Sequence, residues 1–274
     1  MDSIKCGSCE LKFDRTLVMG ILNVTPDSFS DGNLFLNPKK AVGHAKQMVK
    51  DGADIIDIGG ESSRPGSEPV SEEEELGRVS QIIKKLAKET NIPISIDTCK
   101  PKVAEECIKL GASVINDING LRDEKMIKVA AKYKVPAVIM HMQGSPKAMQ
   151  NNPFYKDVVK EIKEFFKAQI GKAKQAGIKD IIIDPGIGFG KTAGHNLQIF
   201  KNLNKFKGLK CPILVGPSRK SFIGNITGLP ANERLEGTLA AISIAVFNGA
   251  NIVRVHDVKE CKRAVAVANA IRNS

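Results

Sequence analysis

The sequence contains no tryptophan and only two tyrosines among its 274 residues. Proteins that bind single-stranded nucleic acid stack the bases on aromatic side chains, and this chain offers few of them. Its 41 lysines and arginines exceed its 30 aspartates and glutamates, which gives a net charge of +11. The basic residues are spread along helical patterns, however, and they indicate solvated helix faces instead of a surface for polyanions.

Long hydrophobic runs are also missing. The longest apolar stretch, Leu239 to Phe247, falls far short of the roughly 20 residues that a membrane helix needs. No basic, apolar leader opens the sequence, so we expect a soluble, unexported, cytoplasmic protein. A charge of +11 permits nucleic acid, an anionic membrane or a small anionic ligand as partner, and these absences weaken the first two.

Cysteine is too sparse for a disulfide framework, with six residues in a chain of this length. Cys6-Gly7-Ser8-Cys9 matches a C-x-x-C pattern, which is half of a zinc site or a redox pair. No second C-x-x-C and no H-x-x-H pattern follows it. We therefore interpret the segment as a tight turn with two free thiols.

Short runs rich in valine and isoleucine recur along the chain. Their hydrophobicity is nearly continuous, as in strands that are buried on both faces. The eight predicted strands are Leu17–Leu22, Asp54–Ile58, Pro93–Asp97, Ser113–Asp117, Pro136–Met140, Ile181–Asp184, Ile213–Val215 and Asn251–Val255. Seven intervals of about 33 residues separate their starts, close to the roughly 31 residues per unit of a (β/α)8 barrel.

Helical patterns fill the intervals between the strands. Ser71–Glu74 reads as a capping box, and Pro101 and Gly111 suit the start and the end of a helix. Further helices are predicted over Phe154–Ala176, Glu233–Phe247 and Val258–Ile271.

We expect a single α/β domain over residues 1–274, a (β/α)8 TIM barrel in which residues 1–16 form a short cap over the N-terminal mouth. The competing fold is a doubly wound open sheet. That fold usually places a glycine fingerprint directly after the first strand, where this chain has Asn23–Asp27.

Polar residues end almost every predicted strand, which is where barrel enzymes carry their chemistry. They are Asn23, Asp57, Asp97, Asn116, His141, Asp184, Ser218–Ser221, Arg254 and His256. Any one Asp or Asn could serve as a helix cap, but a set aimed at one mouth predicts a binding site. Acids and amides suit a flat heterocycle with several N–H and carbonyl groups, as in Asp97, Asn116 and Asp184. Cationic donors suit phosphate or carboxylate, as in Arg64, Arg219, Lys220, Arg254 and His256.

One near-motif and two loops complete this mouth. Gly186–Thr192 resembles a P-loop, but Pro185 occupies the first glycine position, and a tight turn under Asp184 is the better interpretation. Residues 23–37, with Phe29, and residues 59–70, with Arg64, are long loops of small residues. We expect them to act as lids that exclude water, with a plain surface connection as the alternative.

Eight segments of the chain resemble the dihydropteroate synthase family. They are Met19–Gly32, Gly52–Gly66, Ser95–Thr98, Ile115–Asp117, His141–Gly144, Asp184–Lys191, Ser218–Ser221 and Arg254–Asp257. They follow one another in order over nearly the whole chain. Ser63 stands where the family often has threonine, and Pro217 precedes the Ser-Arg-Lys run. Since Ser63 keeps a hydroxyl group, the departure concerns only the fine structure of the second loop.

The resemblance implies a (β/α)8 fold, a homodimer and a sulfonamide target. It implies a transferase that condenses p-aminobenzoate with 6-hydroxymethyl-7,8-dihydropterin diphosphate, with Mg2+ as cofactor and 7,8-dihydropteroate and diphosphate as products. Carried onto this chain, it assigns the pterin to Asp97, Asn116, Asp184 and Lys220. It assigns the diphosphate to Asn23, Ser63, Arg64, Arg254 and His256, with Asn23 also near the metal. It assigns p-aminobenzoate to Phe29, Pro65, Phe189, Lys220 and Ser221.

On this assignment the catalytic residues are Asp97, Lys220, Arg254 and His256. Cations stabilise the charge that grows on the departing diphosphate, and Asp97 stabilises a pterin cation. The alternatives are a pterin-binding methyltetrahydrofolate:corrinoid methyltransferase, a pterin-binding relative without activity, and a nucleic-acid binder. The first would need neither the Asn23–Gly32 loop nor the Ser218–Lys220 run, and the second would be expected to have lost Arg254, His256 or Lys220.

Overall fold

The structure, a computed structural model, describes residues 2–25, 38–62 and 66–274. In these residues the strands are β1 (Ser3–Cys6), β2 (Cys9–Lys12), β3 (Leu17–Asn23), β4 (Ile55–Gly59), β5 (Ile94–Asp97), β6 (Val114–Asp117), β7 (Ala137–Met140), β8 (Ile181–Asp184), β9 (Leu214–Val215) and β10 (Ile252–Val255). The α-helices are α1 (Pro38–Lys50), α2 (Glu72–Glu89), α3 (Pro101–Leu110), α4 (Glu124–Tyr133), α5 (Val158–Gln175), α6 (Ala193–Lys201), α7 (Ser221–Thr227), α8 (Leu235–Phe247) and α9 (Val258–Asn273).

Strands β3 to β10 form one parallel sheet in the order β8-β7-β6-β5-β4-β3-β10-β9. A parallel bridge between Ile183 and Ile213 joins β8 to the start of β9. The two outer strands therefore meet, and the sheet closes into a barrel. The main apolar core lies between the outer face of the barrel and the helices. The predicted (β/α)8 barrel is confirmed, and each of the eight predicted strands ends within one residue of its observed bounds.

Helix starts follow local capping chemistry. The hydroxyl of Ser71 accepts a hydrogen bond from the backbone N–H of Glu74 at the start of α2, as a cap should. Pro101 is the first residue of α3, and Gly111 ends that helix with φ +119°. Glycine suits this left-handed conformation because it has no Cβ.

Two predicted helix starts were too early. The helix predicted from Phe154 begins at Val158, because the carboxylate of Asp157 caps it by accepting from the N–H groups of Val159 and Lys160. Phe154 lies before this cap and is exposed. The helix predicted from Glu233 begins at Leu235, after a short 3-10 helix over Ala231–Glu233.

The first two strands form an antiparallel hairpin in which Cys6 pairs with Cys9. Gly7 turns the chain with φ +62°, and all six cysteines are free thiols, so the predicted tight turn is confirmed. Ile4, Cys6 and Leu11 pack against residues near the starts of the barrel strands, such as Leu17. The single domain over residues 1–274, with residues 1–16 as its cap, stays a prediction.

The interior of the barrel changes from an apolar layer to a polar layer over two residues of each strand. Inward residues of the lower layer include Ile55, Val114, Ile182 and Ile252. Two residues further along the same strands come Asp57, Asn116, Asp184 and Arg254. Because side chains two apart lie on the same face of a strand, the polar layer lies directly above the apolar one. The barrel thus has a dry floor and a polar upper layer at the C-terminal ends of its strands.

Among the described residues, no helix is long and apolar enough to cross a membrane.

Candidate active site

Asp57 lies at the centre of the polar layer, where it joins three strands. Its Oδ2 accepts a 2.6 Å hydrogen bond from Nε of Arg254 and a 3.0 Å hydrogen bond from Nδ2 of Asn116. The side chain is completely buried, and within the described part of the chain its Oδ1 has no hydrogen-bond partner. The sequence placed Asp57 at a strand end without giving it a role. The structure shows that it holds Arg254 and Asn116 in place.

Arg254 bridges two carboxylates. Besides Asp57, its guanidinium contacts Asp97, with Nη2 2.7 Å from Oδ2. Burial would lower the pKa of Arg254, but the two carboxylates raise it above its ordinary value, so the group stays cationic. Burial raises the pKa of Asp97 to about 7, against the lowering effect of Arg254 and with a further increase from Asp57. Burial thus makes Asp97 hold its proton more tightly than an exposed carboxyl group does.

Asp184 lies across the barrel mouth from this pair, at the end of β8. Its Oδ1 accepts a 2.8 Å hydrogen bond from the backbone N–H of Gly186, which orients the carboxylate. Burial raises the pKa of Asp184 to about 6, although this hydrogen bond and nearby Lys220 lower it. The chain turns tightly directly after Asp184, as the sequence predicted, and the structure adds that this turn orients the carboxylate.

Lys220 lies over an aromatic ring. Its Nζ is 4.0 Å from the ring centroid of Phe189, a cation–π distance. Burial lowers the pKa of Lys220 to about 8, and Arg254 lowers it further, while Asp184 and Asp97 raise it. The ring of Phe189 packs with Met140, Met142 and Met149, so the turn after β8 and the run after β9 meet at this contact.

His256 is oriented by Ser218. The hydroxyl oxygen of Ser218 lies 3.0 Å from Nδ1 of His256 and accepts the backbone N–H of the same residue at 3.3 Å. Burial lowers the pKa of His256 to about 4, and Arg254 and Arg219 lower it further, so the ring is neutral at pH 7. When the Ser218 hydroxyl donates to Nδ1, the ring proton lies on Nε2, from which it can be donated to an anion.

Arg219 requires a correction. It was predicted among the cationic donors for an anion, but its guanidinium forms two hydrogen bonds with Asp257, Nε to Oδ2 at 3.1 Å and Nη2 to Oδ1 at 2.5 Å. Its backbone has φ +58°, and its carbonyl oxygen accepts from Arg234. A paired guanidinium whose backbone is also tied down supports the shape of the Ser218–Ser221 turn. Arg219 is therefore a structural residue here.

His141 and Lys191 form a buried contact beneath the mouth. Nζ of Lys191 lies 3.1 Å from Nδ1 of His141, 3.1 Å from the carbonyl oxygen of His141 and 2.9 Å from that of Phe189. Burial lowers the pKa of His141 to about 2, so the ring is neutral. The sequence placed His141 at a strand end but did not assign a role to Lys191. Its position after three closely spaced glycines was the only available signal.

The remaining predicted residues divide into two groups. Asn23 is half-buried at the end of β3, next to Gly59 of β4, and Ser221 is the exposed first residue of α7. The other predicted residues, Phe29, Ser63, Arg64 and Pro65, lie outside the described residues. The structure thus brings Asp97, Asn116, Asp184, Lys220, Arg254 and His256 to the C-terminal end of the barrel.

A closed (β/α)8 barrel with buried acids, an amide and cations at the C-terminal ends of its strands is typical of the barrel enzymes. Residues 19–256 match the family of pterin binding enzymes. This family match spans most of the chain and includes every predicted site residue.

Relatives identify the particular family. The dihydropteroate synthase of Clostridium beijerinckii is 51% identical over 273 residues, which cover 98% of this chain and 99% of that protein. The crystal structure of the Yersinia pestis dihydropteroate synthase with a sulfonamide drug complex superimposes with a TM-score of 0.95 at 43% identity, covering 99% of this chain and 100% of that one. The Xanthomonas albilineans dihydropteroate synthase with 4-aminobenzoic acid gives a TM-score of 0.94 at 41% identity, covering 100% and 99%. This chain belongs to the dihydropteroate synthase family, as the sequence predicted.

Proposed function

We propose that this chain condenses p-aminobenzoate with 6-hydroxymethyl-7,8-dihydropterin diphosphate and releases 7,8-dihydropteroate and diphosphate, as a transferase. The observation that carries this proposal is the Asp57–Arg254–Asp97 arrangement at the C-terminal end of a barrel of this family. A cation held between carboxylates serves both halves of such a reaction. Anionic diphosphate departs next to the guanidinium, and a carboxylate faces the positive charge left behind.

The pterin would be held by Asp97, Asn116, Asp184 and Lys220. Carboxylates accept from ring N–H groups, while the amide of Asn116 and the ammonium of Lys220 donate to ring nitrogen and carbonyl acceptors. Because Asn116 is fixed by Asp57, and Asp184 by Gly186, both side chains are oriented before the ligand arrives. Oriented partners reduce the entropy lost on binding.

The diphosphate would be held by Asn23, Ser63, Arg64, Arg254 and His256. Within the described residues, Nη1 of Arg254 makes no hydrogen bond and is available to a ligand oxygen. His256 would donate from Nε2. As the bond from the pterin methylene to the diphosphate oxygen breaks, negative charge grows on the oxygens next to these donors. The positive charge that spreads into the pterin is stabilised by Asp97.

Asn23 would bind Mg2+ together with the diphosphate. Its amide oxygen suits a hard cation, and Mg2+ commonly keeps several waters and binds through few protein ligands plus phosphate oxygens. When bound, the ion would neutralise charge on the diphosphate oxygens.

p-Aminobenzoate would be held by Phe29, Pro65, Phe189, Lys220 and Ser221. The ring of Phe189 gives an apolar wall, and the ammonium of Lys220 and the hydroxyl of Ser221 suit the carboxylate. An aniline nitrogen is neutral near pH 7, so the reaction needs no strong general base. Since the Yersinia pestis relative is described with a sulfonamide drug, we propose that sulfonamides compete for this pocket.

The direct experiment combines the purified protein with both substrates and Mg2+ and follows diphosphate release together with the mass of the product. We expect one dihydropteroate per diphosphate, and we expect a chelator to abolish release and added Mg2+ to restore it. Release without p-aminobenzoate would indicate hydrolysis. Methyl transfer from methyltetrahydrofolate to a corrinoid protein without dihydropteroate would establish the alternative methyltransferase.

We also propose that the chain forms a homodimer through α8 and α9. Helix α8 carries no charged residue after Glu236, yet Ile244 and Phe247 are exposed, and Val267 and Ile271 are exposed on the neighbouring α9. A helix that is apolar on every side is normally buried. Two copies that each carry a charge of +11 repel each other. The exposed apolar residues of α8 and α9 form a surface where two copies can approach with the least repulsion.

Sedimentation of the Phe247→Glu and Ile271→Glu variants tests this interface. We expect the wild-type protein to sediment as a dimer and both variants as monomers. Leu197→Glu is the matched control, because it places the same charge on an exposed apolar residue of α6. A monomeric wild type, or a dimer in all three variants, would refute the proposed interface.

A further inference from the structure

Lys191 is a buried lysine whose amino group finds its hydrogen-bond partners within the protein. The side chain is only 3% exposed, and Nζ has three acceptors: Nδ1 of His141 and the carbonyl oxygens of His141 and Phe189. An ammonium group has three N–H donors, so the charged form of Lys191 can donate to all three acceptors. Among the described residues, the three hydrogen-bond partners of Nζ are an imidazole nitrogen and two carbonyl oxygens, and none of them is a carboxylate. Burying a lysine without an ion-pair partner is unfavourable. Burial accordingly lowers the pKa of Lys191 to about 7, although the charge of Asp184 raises it.

The contact joins two neighbouring units of the barrel. His141 directly follows β7, while Phe189 lies in the turn after β8. Gly186 starts this turn with φ +69°, and a Cβ on it would lie only 2.0 Å from the carbonyl oxygen of His141. The turn therefore lies tightly against the end of β7. Lys191 supplies the donor where the carbonyl oxygens of His141 and Phe189 converge.

The turn held in this way carries two parts of the active site. The N–H of Gly186 orients the carboxylate of Asp184, and the ring of Phe189 lies against the ammonium of Lys220. A displacement of the Phe189 carbonyl would move the ring on the same residue. The hydrogen bond from Gly186 to Asp184 lies closer to β8 than Phe189 does. The backbone there has a second support, because the N–H of His141 donates to the carbonyl oxygen of Asp184 at 2.9 Å.

We propose that Lys191 is a positioning residue for the p-aminobenzoate pocket, and that it acts by holding the backbone at Phe189 against the end of β7 with His141 as its partner. This inference rests on the proposed function, which assigns the Phe189 ring to that substrate. Lys191 does not touch the reacting atoms in this role.

The first test is the steady-state kinetics of Lys191→Met, which keeps an unbranched stem and removes the donors. Unsatisfied buried carbonyl groups would shift the turn, and we expect KM for p-aminobenzoate to rise about tenfold. We expect KM for the pterin diphosphate and kcat each to change less than about threefold, because the Asp184 side of the turn has its own support. Lys201→Met, on an exposed lysine of α6, is the matched control and should change none of the three.

Variants of His141 test the same contact without removing the lysine. His141→Asn keeps an acceptor near the position of Nδ1, whereas His141→Leu removes it. We expect the leucine variant to raise KM for p-aminobenzoate and the asparagine variant to stay close to the wild type. These variants keep the inference testable if Lys191→Met does not fold. Equal effects of the two substitutions would contradict it.

A double variant shows whether Lys191 acts through Phe189. In a Phe189→Leu background, Lys191→Met should raise KM for p-aminobenzoate by clearly less than it does alone, since the ring that it positions is gone. Additive effects, or an equal loss in kcat and in both KM values, would show a general structural role and overturn the inference.

Hydrogen exchange measures the turn itself, independently of any reaction. We expect the backbone amides of residues 186–191 to exchange faster in Lys191→Met than in the wild type and in Lys201→Met, with α5 unchanged. If the wild-type protein forms no dihydropteroate, the proposed function fails, yet this readout still tests the turn. Unchanged exchange at residues 186–191 would overturn the positioning role even in an active enzyme.

Discussion

Nε of Arg254 lies 2.6 Å from Oδ2 of Asp57, and the same oxygen accepts from Asn116. Strands β4, β6 and β10 thus contribute one side chain each to a single hydrogen-bonded group. Because the group is buried, removing its central carboxylate would leave a cation and an amide without an acceptor. Asp57 therefore affects the site through the two residues that it orients.

Replacing Asp57 with asparagine should lower kcat/KM by roughly 10- to 100-fold, because the amide oxygen can still accept a hydrogen bond but no longer balances the buried positive charge of Arg254. The measurement is steady-state kinetics with both substrates. Asp54→Asn is the matched control, since Asp54 pairs with Arg15 and Lys262 at the opposite end of β4. It should reduce stability while leaving kcat/KM nearly unchanged. Equal kinetic losses in the two variants would contradict a specific role for Asp57.

The pH dependence of activity should be bell-shaped. Burial raises the pKa of Asp97 to about 7, so the carboxylate that faces the pterin cation becomes charged as the pH rises through neutrality. Burial lowers the pKa of Lys220 to about 8, so its ammonium is lost on the alkaline side. The profile of kcat/KM against pH measures both limbs. Lys220→Arg should move the alkaline limb upward because a guanidinium keeps its proton, and an unmoved limb would exclude Lys220 as its cause.

The stability of the protein should fall as the pH rises towards neutrality, although activity rises over the same range. Folded Asp97 keeps its proton up to about pH 7, whereas an unfolded Asp releases it near its ordinary pKa of 3.8. The folded state binds more protons within this window, so the contribution of Asp97 to the free energy of unfolding falls as the pH rises. Urea unfolding at several pH values gives the free energy of unfolding of the wild type and of Asp97→Asn as a function of pH. The difference between the slopes of these two pH profiles is the contribution of Asp97. Parallel profiles would show that Asp97 titrates normally.

Ser218→Ala should raise KM for the pterin diphosphate about tenfold, with little effect on KM for p-aminobenzoate. Without the hydroxyl, Nδ1 of His256 loses its partner, and the ring no longer has to carry its proton on Nε2. Ser218→Thr keeps the hydroxyl and should retain more activity than alanine. If alanine and threonine behave alike, the orientation of His256 does not depend on this hydrogen bond.

Gly186→Ala should abolish activity and destabilise the protein strongly, because the new Cβ would meet the carbonyl oxygen of His141 at 2.0 Å. Gly177→Ala is the control for backbone strain alone. That glycine also has positive φ, +94°, but no heavy atom lies within 4 Å of its Cβ position. The control should lose about 1 to 2 kcal/mol of stability and keep its activity. Thermal unfolding and kinetics of both variants separate the close approach from the strain.

The strands were predictable because each is buried on both faces and therefore reads as a continuous apolar run between polar helices. Their polar ends, such as Asp97 and Asp184, were predictable because parallel barrel strands all present their C-terminal ends at one mouth. The starts of α5 and α8 were less predictable. At α5, the Asp157 cap overrode an apolar pattern that extended back to Phe154.

Pairing between charged residues was not predictable from the sequence. Arg219 and Arg254 are both arginines near the ends of neighbouring strands, and both were predicted to face an anion. In the structure the first pairs with Asp257, and the second lies between Asp57 and Asp97. The role of Lys191 was hidden for the same reason, because its partner His141, directly after β7, is 50 residues away.

By itself, the sequence determined the barrel, the end of the barrel that carries the chemistry, and the family, because strand spacing, strand ends and motifs are local properties of the chain. Only the tertiary structure decided which carboxylate neutralises which cation, and how far burial shifts each pKa. Those outcomes depend on distances of a few ångströms between side chains from different strands, in an interior where water no longer screens their charges. Asp57 and Lys191 gained their roles at this level.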